Sequence, residues 1–279
     1  MSTDKKVSVI IPNYNYAQYV GQAIESVMNQ TYSNIEIIVV NNGSIDNSLE
    51  ILKRYGTRIY LVDQENMGQS GARKTGLAKA TGDFIAFLDA DDIWEPSKIE
   101  KQMLLFSPKT ELVYCGIARF SENNQMLSSI HLPRFKGSCA SAFFNYPGVS
   151  IVLSGESTAI FTRALLEKVG GFDPDLNSAA GWDFFRRSSK FTEFDFVPEA
   201  LTKYRIHSSN MSNSSMKTIP DIRSAYKKLF DDRDWAMSPR AIRRVIASLE
   251  YAFLKTHIKQ RNFQAAFGAG FRMLVLRRY

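Results

Sequence analysis

The stretch ENMGQSGARKTGLAKATGDFIAFLDADD, residues 65–92, decides the fold. Ser70 to Ala80 has helical composition, Thr81-Gly82-Asp83 makes a turn, and FIAFL (84–88) is a short apolar run of strand type that empties into three carboxylates within four residues. Working back toward the N-terminus, the same unit recurs. Residues 58–62 read as a strand, and Asp46 caps a helix carrying Leu49, Leu52 and Tyr55 that Gly56 stops. Residues 35–40 form another strand. Tyr19, Ala23, Ile24, Val27 and Met28 recur at helical spacing, and VSVII (7–11) opens the series. Strands alternating with helices need parallel crossovers, which predicts an α/β fold: an open, mostly parallel sheet flanked by helices.

Ligands of such sheets sit at the carboxyl ends of the strands. The polar clusters fall there: Pro12-Asn13-Tyr14-Asn15 after the first strand, Asn41-Asn42-Gly43-Ser44 after the second, and residues 89–92 after the fourth. From about 110 to 215 the pattern is mixed, with candidate strands at 111–117 and 193–197. Beyond Ile219 helices dominate, with an apolar stripe of Ile242, Val245, Ile246, Leu249, Phe253 and Leu254 among Arg240, Arg243, Arg244 and Lys255. The expected organisation is one domain over 1–218, divided at 109/110, and a C-terminal helical appendage over 219–279.

The composition narrows the classes. With 279 residues and 44% hydrophobic content the chain can bury a sizeable core. Its two cysteines, Cys115 and Cys139, suggest neither a disulfide framework nor a zinc site, so a reducing cytoplasm fits. No apolar run is long enough to span a bilayer, and the start lacks signal-peptide character. Lys and Arg number 35 against 28 Asp and Glu, with the excess concentrated after residue 220. The basic and aromatic alternation that binds single strands is absent, so nucleic acid is not expected as a partner.

Asp89-Ala90-Asp91 leaves an apolar strand and enters a loop before Pro96. Hard carboxylate oxygens in that setting suit Mg²⁺ or Mn²⁺, and through it a diphosphate. The same aspartates could instead cap the helix that starts near Pro96.

With these segments the chain resembles the inverting glycosyltransferases of family 2, which have the GT-A fold. The resemblance rests on VSVIIPNYN (7–15), NNGSIDNSLEIL (41–52) and the stretch 65–92. It continues at VGGFDPDL (169–176), GWDFFRR (181–187) and YRIHSSNMS (204–212), covering roughly residues 5–215. It implies a nucleotide-sugar-binding half at 1–109 and an acceptor-binding half at 110–218. The donor is a nucleotide-diphosphate sugar, read as UDP-linked, and the acceptor a carbohydrate or a lipid-linked hydroxyl in polysaccharide or glycoconjugate synthesis. Asp89 and Asp91 would bind Mn²⁺ or Mg²⁺ and the sugar diphosphate. Pro12, Tyr14 and Asn15 would cradle the nucleotide. Arg73 would approach the nucleotide or its phosphates, unless it is a solvated helix residue, and His207 would lie near the metal, unless it is an ordinary surface or core histidine.

Two departures stand out. Asn41-Asn42 occupies the place where the family usually has aspartate to read the base, and asparagine can still accept and donate there. The general base would be Asp183, which lacks the preceding glutamate of the family's Glu-Asp pair.

Other classes compete less well. A dinucleotide-binding dehydrogenase would need Gly-x-Gly-x-x-Gly after its first strand. A P-loop reading fails because Arg73 stands where the second glycine is required. A nucleotidyltransferase would show a glycine-rich basic loop after the first strand. A non-catalytic nucleotide-sugar binder remains compatible with the two departures. The basic C-terminal helices could pack as a cap, or touch an anionic membrane at its cytoplasmic face.

Overall fold

The computed structural model describes residues 5–145, 151–153, 155–210, 215–235, 237–259 and 261–277. In chain order the first elements are β1 (Val7–Asn13), α1 (Val20–Met28), β2 (Ile35–Asn42), α2 (Ser48–Lys53), β3 (Tyr60–Gln64), α3 (Gly68–Lys79), β4 (Phe84–Phe87), β5 (Ile93–Trp94) and α4 (Lys98–Met103). Then come β6 (Thr110–Ser121), β7 (Met126–His131), α5 (Ala142–Asn145), β8 (Ile160–Thr162), α6 (Arg163–Val169), α7 (Ala180–Ser188) and β9 (Glu193–Ile206). The last are α8 (Ser215–Asp231), α9 (Pro239–Lys259) and α10 (Phe263–Arg277).

The sheet runs β3-β2-β1-β4-β8-β6-β9-β5, with β7 on the side of β6. From β3 to β4 every pairing is parallel, as the alternation of strand and helix requires. Beyond β4 the sheet is mixed: β8 runs antiparallel to β4 and β6, while β6 and β9 are parallel. The strand period explains how both faces are covered. Val7, Val9 and Ile11 turn into the cluster holding Val20, Ala23, Ile24 and Val27 of α1. Ile10, on the opposite face, lies so close to Gly76 of α3 that a Cβ there would collide with it. Glycine at position 76 is what lets α3 sit down on the sheet.

Several strands differ from the sequence reading in extent, β9 the most. The candidate strand 193–197 continues through Pro198 to Ile206, and its ladder with β6 slips in register around Cys115 and Gly116 to pass the proline. The three-residue β8 gave no periodic signal. By contacts the chain forms two compact units, 1–140 with 150–207, and 141–149 with 208–279. The second is helical. Within it Glu250 of α9 is buried between Arg223 of α8 and Arg272 of α10, at 2.8 and 3.0 Å. Among the described residues no helix is long and apolar enough to cross a membrane.

Candidate functional site

The loops leaving β1, β2 and β4 meet at one end of the parallel strands. Asn15 adopts a left-handed conformation (φ 58°), which turns its side chain so that Oδ1 accepts from Ile45 N at 2.8 Å, while its own N donates to Ser44 Oγ at 3.0 Å. The first two loops are therefore tied together. Tyr14 stands exposed beside this junction, and Pro12 is partly covered within β1.

Asn41 and Asn42 are buried and spend their amides inside the protein. Asn42 Oδ1 accepts from Gln64 Nε2 and Met67 N at 2.8 and 3.0 Å, and its Nδ2 donates to Gly68 O at 3.1 Å. Asn41 Nδ2 donates to Asp63 Oδ1 at 2.7 Å. The sequence reading missed Asp63, an exposed carboxylate at the end of β3 that Asn41 holds in place. A lone aspartate near the end of a short strand carries no signal of its own.

The acidic loop after β4 is strongly shaped. Ser157 Oγ accepts from Asp89 N at 3.1 Å, and Asp91 Oδ2 lies 2.9 Å from His207 Nε2. Tyr16 and Tyr19 pack on the His207 ring at centroid distances of 5.6 and 5.0 Å. Arg205, fully buried between the Tyr19 and Phe120 rings, donates through Nε to Asp91 O at 2.8 Å, and its backbone N donates to Asp92 Oδ1 at 3.2 Å. This arginine, two residues before His207, holds the loop from behind. Burial pushes the Asp89 carboxyl up to about 7 against the pull of Arg73, with Asp91 and Glu156 adding to the rise. Burial and the Asp91 and Asp89 charges likewise raise Asp92 well above the carboxylate range. Asp92 Oδ2 has no hydrogen-bond partner among the described residues. Three crowded carboxylates of this kind call for positive charge.

Part of that charge comes from Arg73. It is a buried side chain, not a solvated one, set against the Phe87 and Phe172 rings. Its Nη1 lies 2.6 Å from Glu156 Oε1 and its Nη2 3.8 Å from Asp89 Oδ1, while Nε has no partner among the described residues. A buried guanidinium N–H left open is costly unless a ligand completes it.

Asp183, expected as the general base, lies in α7 and is engaged by two arginines of the same helix. It is only 1% exposed; Oδ1 accepts from Arg186 Nη2 at 2.9 Å and Oδ2 from Arg187 Nε at 2.7 Å. Arg187 goes on to donate to Val169 O and Gly171 O at 2.6 and 2.7 Å. Both carboxylate oxygens are committed within α7, and Arg187 carries the tie on to the end of α6. A further carboxylate near the acidic loop is Glu156, from the turn before β8. It lies against Gly181, where any Cβ would come within 2.5 to 2.7 Å of its carboxyl atoms. The glycine at the second position of α7 thus leaves the space that Glu156 fills.

For a cation, Asp91 and His207 offer an oxygen and an imidazole nitrogen on adjacent positions, with Asp89 close by. Among the described residues no group of three His, Cys, Asp or Glu side chains converges on one point. The donor set suits a hard divalent ion, for which Asp91, His207 and Asp89 would be the protein ligands.

This geometry and the sheet order define the class of protein. The family description Glycosyl transferase family 2 matches residues 8–170, and the chain belongs to that family. It is 29% identical to an uncharacterised glycosyltransferase of Rickettsia prowazekii over 93% of this chain and 83% of that one. With an uncharacterised glycosyltransferase of Nostoc sp. it shares 34% identity over 74% of this chain and 66% of that one. Among solved structures, the mannosyltransferase PcManGT from Pyrobaculum calidifontis, in complex with GDP-Man and Mn²⁺, superposes with a TM-score of 0.62 at 18% identity, covering 98% of this chain and 75% of that one. S. aureus TarS 1–349 in complex with UDP-GlcNAc gives 0.59 at 19% identity, covering 89% and 66%. At these identities the structural likeness concerns the fold.

Proposed function

We propose that this protein transfers a sugar from a nucleotide-diphosphate sugar, UDP-linked, to the hydroxyl of a carbohydrate or lipid-linked acceptor, with inversion at the anomeric carbon, as a cytoplasmic step in polysaccharide or glycoconjugate synthesis. The observation that carries the reading is the meeting of Asp91, His207, Asp89 and an incompletely paired Arg73 at the carboxyl ends of β1, β2 and β4. The fold's likeness to TarS with UDP-GlcNAc and to PcManGT with GDP-Man and Mn²⁺ supports the choice of donor class.

In this reading Pro12, Tyr14 and Asn15 border the nucleotide. Asp63, steadied by Asn41, takes over base or ribose recognition, while Asn42 shapes the loop. Arg73 Nε donates to a donor phosphate. Asp91 and His207, with Asp89, hold Mn²⁺ or Mg²⁺, which when bound neutralises charge building on the departing diphosphate. Glu156 takes the proton of the acceptor hydroxyl as that oxygen bonds to the anomeric carbon. The carbon's bond to the diphosphate oxygen breaks at the same time, and its electron pair leaves with the nucleoside diphosphate. Attack and departure on opposite sides invert the centre. Asp183 keeps α7, and with it Gly181, in register beneath Glu156.

A panel of UDP- and GDP-sugars incubated with the protein and Mn²⁺ tests the reading through release of nucleoside diphosphate. Turnover of a UDP-sugar is expected, and its absence across the panel, with acceptor-mimicking oligosaccharides and lipid phosphates added, would overturn it.

A further inference from the structure

The mechanism leaves the outer face of the helical unit unused. Phe263, Phe267 and Phe271 recur every four residues along α10, so they share one face over about 12 Å of helix. They are 69, 78 and 61% exposed, while Ala266 and Ala269 on the other side of the helix are buried. Asn262 caps this helix by accepting from Ala265 N at 3.2 Å. The last turns of α9 and the turn that follows carry the exposed Lys255, Ile258, Lys259 and Arg261, just before Phe263 in the chain. Three neighbouring phenylalanines in water are costly by the usual measure of apolar area.

Charge says what covers them. Residues 219–279 hold 13 Lys and Arg against five Asp and Glu, while residues 1–218 hold 22 against 23. The whole positive excess of the chain therefore sits in the unit that exposes the phenylalanines. A second copy would bring like charge to like charge. An anionic bilayer meets both requirements: an acyl boundary for the rings and negative headgroups for the basic turn.

We propose that the α9–α10 hairpin docks in the plane of an anionic membrane, with Phe263, Phe267 and Phe271 inserted and Lys255, Lys259 and Arg261 at the headgroups. The hairpin lies on the surface, since neither helix is long and apolar enough to span it. This claim is independent of the proposed transfer reaction, because its readout is binding.

Flotation of the full chain with phosphatidylcholine vesicles carrying 30% phosphatidylserine tests it against pure phosphatidylcholine vesicles. The wild-type chain is expected to float only with the anionic vesicles and to be released by high salt. Phe263→Gln/Phe267→Gln/Phe271→Gln should lower the partition coefficient at least tenfold, with an unchanged melting temperature because the replaced rings lie outside the core. Lys255→Gln/Lys259→Gln/Arg261→Gln should lower it comparably. Failure of the wild type to float, or equal flotation of the phenylalanine variant, would overturn the proposal. So would a concentration-dependent dimer in sedimentation that the phenylalanine variant abolishes, since the face would then belong to a second copy.

Discussion

Lys98 offers a quantitative test of how the acidic loop's neighbourhood is built. It opens α4 with a fully buried side chain whose Nζ sits 3.9 Å from the centre of the Trp94 ring and has no hydrogen-bond partner among the described residues. Burial pushes its pKa down from 10.5 to about 8, with only a small opposing effect from the Cys115 thiol. Between pH 8 and 10.5 the unfolded chain therefore binds a proton that the folded chain does not, so stability rises with pH through that window. Below pH 8 the full penalty applies. A shift of this size corresponds to about 3 kcal/mol. Lys98→Met keeps the stem and removes the charge, losing a cation–π contact of about 1 kcal/mol. The net expectation at pH 7 is a gain of about 2 kcal/mol, read as a rise in melting temperature of about 6 °C. Thermal melts of both proteins at pH 7 and pH 10.5 check this, and the gain should have largely vanished at the higher pH. A variant less stable than wild type at pH 7, or a gain independent of pH, would refute the reasoning.

The remaining predictions concern the site and its support. Glu156→Gln leaves an amide oxygen for Arg73 to donate to, and its main effect should be a drop in turnover of about a hundredfold, measured as kcat beside a binding titration and a denaturant melt that report the lost ion pair. Asp183→Asn should behave in the opposite sense, destabilising the chain by about 3 kcal/mol by uncoupling two guanidinium groups from a buried carboxylate, which a denaturant melt will report. Gly76→Ala should cost about 1 to 3 kcal/mol, because its methyl meets Ile10 and pushes α3 off the sheet.

Which of these features the sequence discloses follows from periodicity. β1, β2 and β4 are continuous runs such as VSVII and FIAF, buried on both faces, and the helices between them repeat at helical spacing, so order, direction and the position of the loops all follow. β9 hides because EFDFVPEALTKYRI mixes charge with apolar residues and crosses a proline, yet pairs along β6 by shifting register. The three residues of β8 are shorter than any period.

The same division holds in the site. Asp89, Asp91 and His207 stand in recognisable text, and the chain brings Asp91 and His207 within 2.9 Å. Glu156 is a single charged residue in an unpatterned stretch, and only packing reveals that it occupies the room left by Gly181; Arg205 stands in the same text as His207, but nothing in that text tells that it is buried against the acidic loop. At Asp183 the motif is legible while its surroundings are not: Arg186 and Arg187, three and four residues on, lie on the same helix face and pair with it.

The central claim is that Asp91 and His207 form a cation site through which a nucleotide diphosphate is held. Titration calorimetry of UDP into the wild-type protein and into Asp91→Ala, with Mn²⁺ present and again in excess chelator, tests it most directly. The account predicts Mn²⁺-dependent binding to the wild type, weakened at least tenfold by chelator and by Asp91→Ala. Binding of equal strength in all four titrations would contradict it.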